Sequence, residues 1–161
     1  LGEVGRPHYE VEPEIMAEAN ALFQEALAIC AELSCPAILH TEAGDPDTFQ
    51  EWATWADEAG LPREKVVKHF APPLVTPEEN HGLVPSLVAS RGTLEEALER
   101  SDRFFMETDY MDDPDRPGAV LGPKVVPRRT LQFHEDGRLT EDAWARIHID
   151  LPRQVYGIET N

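Results

Sequence analysis

Five short apolar runs recur along the chain, and the sequence between them is mostly helical in pattern. This alternation is the tightest constraint on the fold. Parallel strands need a crossover of about a dozen residues or more, usually a helix, and such crossovers are right-handed. Strand and helix in turn therefore predict an α/β protein with a parallel sheet.

The first run holds Gly2-Glu3-Val4-Gly5. A helix is expected over residues 14–33, because Ile15, Ala19, Leu22, Phe23, Ala26, Cys30 and Leu33 recur at three- and four-residue steps behind Pro13. Cys35 to His40 reads as a short buried strand. Asp45-Pro46 is an N-cap followed by a first-turn proline, and Gly60 is the stop for a helix ending near Ala59. A third strand is expected over Lys65–Phe70. Thr76-Pro77-Glu78-Glu79 has the form of a capping box, as does Thr93-Leu94-Glu95-Glu96, which opens a helix to about Arg100. Leu83–Val88 is a weaker strand, since Pro85 counts against a central position. Phe104–Thr108 is the last strand, and the Pro- and Gly-rich residues 111–127 follow as a long loop. Helical pattern resumes from Val125 to His134 and from Thr140 to Leu151, with Pro152 as a potential break. Neither an internal repeat nor a second domain is indicated.

The strand ends carry the chemistry. Phe104-Phe105-Met106-Glu107-Thr108-Asp109-Tyr110 is an apolar run that stops abruptly in acid. Glu3 is expected to close the first strand, His40 the second, His69 the third and Asp109 the last. Singly, each has an ordinary explanation: a hydrogen-bonded histidine, a Glu3–Arg6 pair, a loop-capping Asp109. Jointly they differ, because the carboxyl ends of parallel strands share one edge of the sheet, where active sites of such folds are built. Two imidazoles and two carboxylates suit a divalent ion such as zinc, magnesium or manganese. Glu107, two residues before Asp109 and so on the same strand face, and Glu42, two after His40, are candidates to orient these groups through hydrogen bonds.

Composition bounds the setting. The 161 residues hold 31 Asp and Glu against 14 Lys and Arg, for a net charge of −17, and the only lysines are Lys65, Lys68 and Lys124. Self-repulsion of this size is relieved by salt, whose screening length at 1 M is about 3 Å. The carboxylates are spread along the chain rather than blocked, which points to a high-salt cytoplasm more than to an acidic face for a basic partner. No apolar run approaches a membrane span, and no membrane partner is expected. Cys30 and Cys35 read as a buried thiol pair.

Gly2-Glu3-Val4-Gly5, Ile38-Leu39-His40, Lys68-His69-Phe70 and Met106-Glu107-Thr108-Asp109 together resemble the TatD-like metal-dependent hydrolases of the amidohydrolase superfamily. Arg6-Pro7-His8-Tyr9 and the stretch from Arg116 to Lys124 are similar to a mainly archaeal branch. The resemblance covers nearly the whole chain and implies a (β/α)8 TIM barrel with one or two metals. Within it, Glu3 bridges two ions, His40 and His69 bind the second, and Asp109 binds the first and assists proton transfer; Glu3 and Asp109 are thus the catalytic candidates.

The family's first-strand His-x-His is not found here, and His134 and His148 stand alone. A whole barrel takes roughly 250 residues. The chain is therefore expected to be the C-terminal portion, lacking about three βα units, weakly active or inactive by itself. The resemblance further implies hydrolysis of phosphodiesters in DNA or of related esters, with amides, lactones and small phosphoesters as alternatives. Arg6, His8 and Tyr9, which follow the Glu3 strand, and Lys124, Arg116, Arg128 and Arg129 are candidates for binding an anionic group. For Arg128 and Arg129, surface salt bridging on so acidic a protein is the somewhat better reading. A truncated remnant, or a half-barrel that self-associates through open strand edges, is the non-enzymatic alternative.

Overall fold

The computed structural model describes residues 1–115 and 120–158. Arg116, one of the anion-binding candidates, lies outside them. Five parallel strands, β1 (Gly2–Gly5), β2 (Ala37–His40), β3 (Val66–Lys68), β4 (Val84–Val88) and β5 (Phe105–Glu107), pair in sequence order β1-β2-β3-β4-β5. That order has no reversal point. Doubly wound sheets reverse strand order; barrels add each strand beside the last. The sheet and its helices are thus consistent with part of a barrel.

The helices are α1 (Pro13–Glu32), α2 (Pro46–Ala59), α3 (Pro77–Asn80), α4 (Arg91–Leu98), α5 (Val125–Glu135), α6 (Glu141–Ala145) and α7 (Leu151–Tyr156). In α1, Phe23, Leu27 and Cys30 are buried at helical spacing. At the start of α2 the Asp45 carboxylate accepts from the Thr48 N–H at 2.9 Å, and Gly60 ends the helix at φ 75°. Thr76 and Glu79 form the expected capping box. The second expected cap is corrected: α4 begins at Arg91 and Ser90, not Thr93, is its N-cap, with the Ser90 hydroxyl accepting from the Thr93 N–H.

Pro85 is tolerated in β4 for a geometric reason. It is the last register position against β3, and pairing with β5 starts one residue later at Ser86. The expected break at Pro152 is replaced by a wide π turn, Arg146–Asp150, feeding α7. Proline has no N–H and clashes with the carbonyl four residues back; here that carbonyl belongs to His148, inside the widened turn.

The core lies between the outer face of the sheet and the helices, around Trp52, Phe49, Phe23, Leu39 and Leu87, all essentially inaccessible. On the inner face Val67, Val84 and Phe105 meet Leu151 and Val155 of α7. Lys65 fixes that contact by donating to the carbonyls of Gln154 and Val155 at 2.7 and 2.8 Å, a cation at a helix C-terminus. Cys30 is buried, but Cys35 is only half so, which corrects the fully buried pair; both thiols are free. Among the described residues, no helix is long and apolar enough to cross a membrane.

Gly5 sets how closely β1 approaches β2, since a Cβ there would collide with the His40 carbonyl. Gly5→Ala should therefore cost about 1–3 kcal/mol by denaturant unfolding. Gly92→Ala, whose Cβ would meet nothing within 4 Å, should cost nothing; equal effects would contradict this packing.

Candidate metal centre

The rim at the carboxyl ends of the strands brings together Glu3, His40 and His69, whose ligand-type atoms all lie within 4.8 Å of one another. Each arrives differently. His40 is the last residue of β2, and His69 is one residue beyond β3. Glu3 does not close its strand as expected: it lies inside β1, at a register shift where Gly2 faces Ile38 and Val4 faces Leu39. A bulge of this kind leaves one residue unpaired and re-aims its side chain.

The Glu3 carboxylate stands between the two histidines, 2.9 Å from His40 Nδ1 and 3.8 Å from His69 Nε2. Asp109, two residues past β5, is not in that three-residue cluster but abuts it, with Oδ1 3.5 Å from His69 Nε2. Its φ is 50°, in the left-handed region that Asp enters more readily than most residues. The imidazoles of His40 and His69 are nearly parallel, 5.7 Å between centroids.

Glu107 holds this arrangement from behind. One carboxylate oxygen lies 3.0 Å from His69 Nδ1 and accepts from the Phe70 N–H at 2.7 Å; the other accepts from the Ser86 hydroxyl. With Nδ1 turned to Glu107, Nε2 of His69 faces Glu3 and Asp109. A carboxylate on the far nitrogen fixes ring orientation and raises basicity in metal-binding histidines. The Glu107 hydrogen bond, opposed by burial and aided by Glu3 and Asp109, raises the His69 pKa above the ordinary histidine value. Donor types, spacing and orientation therefore fit a divalent ion.

Two expected residues have other duties. The Arg6 guanidinium bonds to Glu42 through Nε at 2.9 and 3.1 Å, pairs with Glu51 at 2.8 Å, bonds to Asn20, and lies over the Trp55 ring. It is a structural cation rather than a free anion binder, and Glu42 holds it rather than a histidine. Lys124 is exposed at the N-cap of α5 and does not line the rim. Arg128 is exposed, and Arg129 is positioned by Gln132 and the Phe133 ring. His134 faces Glu141 at 3.4 Å, and His148 contacts Thr130 at 3.1 Å. His8 and Tyr9 do line the rim, in a hollow of about 450 Å³ that also includes Glu3 and His40.

Sequence reasoning missed the parts played by Lys68 and Ser86. Lys68 is 1% exposed, its ammonium donating to the His69 carbonyl, and burial lowers its pKa to about 8. A lysine at the end of an otherwise apolar Val66-Val67 strand was the available signal.

An incomplete barrel-type α/β domain with a candidate metal cluster on its carboxyl rim is the class that fold and geometry define. Residues 1–157 match the family model described as TatD related DNase, and the chain belongs to the TatD family. An uncharacterised protein of Methanocaldococcus jannaschii is 38% identical over 159 residues, 99% of this chain and 56% of that protein. Among solved structures, the organophosphorus hydrolase from Deinococcus radiodurans superposes with a TM-score of 0.70 at 15% identity, over 96% of this chain and 54% of that one. A mutant phosphotriesterase-like lactonase from Deinococcus radiodurans gives 0.67 at 15% identity, over 96% and 56%. At that identity the likeness is one of fold. The chain spans a little over half the length of these proteins.

Zinc titration tests the cluster. His40→Ala and His69→Ala should lose bound metal, and Glu107→Gln should weaken binding about 10- to 100-fold. Protons compete for His69, so affinity should fall as pH drops through its raised pKa. Unchanged metal content in both alanine variants would rule out this ligand set.

Proposed function

We propose that the chain carries the metal-binding half of a hydrolase that cleaves ester bonds with water, either phosphodiesters as in DNA or related esters. The observation that supports this most is the convergence of Glu3, His40 and His69 within 4.8 Å on one rim. A divalent ion bound by these residues would supply a water of lowered pKa and polarise the oxygen under attack. Glu3, placed between the two histidines, would help them hold the ion. Asp109, beside His69 Nε2, accepts the proton from the attacking water and returns it to the leaving oxygen. Glu107 keeps His69 aimed, and Ser86 and the Phe70 N–H keep Glu107 in place. The family description favours a phosphodiester; the fold likeness to an organophosphorus hydrolase and a lactonase keeps amide, lactone and small phosphoester hydrolysis open. The acidic surface fits work in a salty cytoplasm.

A second reading has its own observation. Ile15, Leu22 and Ile29 form an exposed apolar row along α1, continued by Leu33 at its C-cap, and among the described residues β1 has a sheet neighbour on one side only. Such surfaces promote self-association of a half-barrel. Light scattering in molar salt decides: a stable monomer counts against it.

For the enzyme reading, zinc- or manganese-loaded protein should hydrolyse an ester or DNA substrate, and Asp109→Asn should lower kcat about 100-fold or more while retaining metal. An Asp109→Asn variant as active as the parent would remove Asp109 from proton transfer.

A further inference from the structure

Five rings run in a row across the metal cluster. His8 and His40 have centroids 5.2 Å apart, and His40 and His69 are 5.7 Å apart. The row is extended at one end by Tyr9, 5.8 Å from His8, and at the other by Phe70, 6.0 Å from His69. Both end residues are open to solvent, Tyr9 at 66% and Phe70 at 52%. Scattered exposed apolar residues are ordinary, but these two flank the candidate ligands on a shared rim. Phe70 is also held at φ 50°, uncommon for a bulky residue, with its N–H on Glu107. The fold thus keeps an aromatic ring displayed beside His69.

Apart from a bound ion, the described side chains around the row leave only negative charge free. Two adjoining hollows, of about 450 and 420 Å³, share His8 and His40 and also hold Glu3, Glu42 and Asp109. Among the described residues lining them, the Lys and Arg side chains are Arg6 and Lys68. Arg6 is occupied by Glu42 and Glu51, and Lys68 is buried with its ammonium on a backbone carbonyl. Polyanions are held through accessible Lys and Arg, and single strands through a basic groove beside stacking rings. Here there are rings without the groove. Hollows of this size suit a small molecule.

We propose that this rim takes a small uncharged ester with an aryl or other apolar group, seated on the ring row, and that Phe70 is a specificity-determining residue for it. The inference rests on the hydrolase reading and narrows its substrate. In the reaction the oxygen of water bonds to the acyl or phosphoryl centre, the bond from that centre to the leaving oxygen breaks, and the alcohol or phenol departs carrying the proton relayed by Asp109.

The probes are acetanilide, an uncharged and unreactive aryl acyl compound, and phenyl phosphate, which has the same ring and a negative charge. NMR titration of the metal-free protein should show saturable shifts of the His40 and Phe70 ring signals with acetanilide, at least tenfold tighter than with phenyl phosphate. Phe70→Ala should weaken acetanilide binding about tenfold, as loss of one stacking partner allows, and Phe70→Tyr should restore it. In the metal-loaded protein the same Phe70→Ala change should raise KM for phenyl acetate with little change in kcat, leaving methyl acetate unaffected. Phenyl phosphate binding as well as acetanilide, no saturable acetanilide shift, or indifference to Phe70→Ala would each overturn the proposal. Zinc titration reads the metal cluster independently: zinc bound without acetanilide defeats this inference alone, whereas acetanilide bound without zinc defeats the hydrolase reading.

Discussion

The carboxylate of Glu107 ties three strands to one another and to the rim. From β5 it reaches Ser86 on β4 and the His69-Phe70 turn beyond β3, accepting from a hydroxyl and a backbone N–H and facing an imidazole. A half-buried carboxylate needs such partners, because an unsatisfied one in this position would be costly. Satisfying them fixes the His69 ring, sets its free nitrogen toward Glu3 and Asp109, and holds Phe70 in its left-handed backbone. Much of the site's geometry follows from this one residue.

The sheet supplies the remainder. Sequential parallel pairing places the ends of β2, β3 and β5 on one edge, so His40, His69 and Asp109 converge although 69 positions separate the first from the last. Glu3 joins them because β1 bulges and because Gly5 lets it approach the His40 backbone. Behind the sheet, Trp52 and Phe49 share the buried core with Leu39 of β2. On the inner face α7, anchored by Lys65, packs over Val67, Val84 and Phe105.

Local signals were legible. The Asp45-Pro46 start and Gly60 stop of α2, the Thr76 capping box, and the strands ending near His40 and His69 all depend on residues within a few positions of one another. Non-local pairing was not. Arg6 looked like a free cation because its partners, Glu42 and Glu51, are brought to it only by β1–β2 pairing and by α2. The bulge at Glu3 leaves no local mark, and a one-residue register shift is invisible to an alternation pattern. The expectation of a cap at Thr93 failed because α4 starts at Arg91, which puts Ser90 at the N-cap. The TatD resemblance was carried by four short motifs, and they meet at the rim through Glu3, His40 and His69, with Asp109 abutting them.

The central claim is that Glu3, His40 and His69 hold a divalent ion. X-ray absorption spectroscopy of the zinc-loaded protein tests it most directly. This ligand set predicts nitrogen and oxygen neighbours at about 2.0–2.2 Å, including two imidazoles, with one imidazole lost in His40→Ala. A sulfur-ligated spectrum at about 2.3 Å, or a first shell unchanged by His40→Ala, would contradict it.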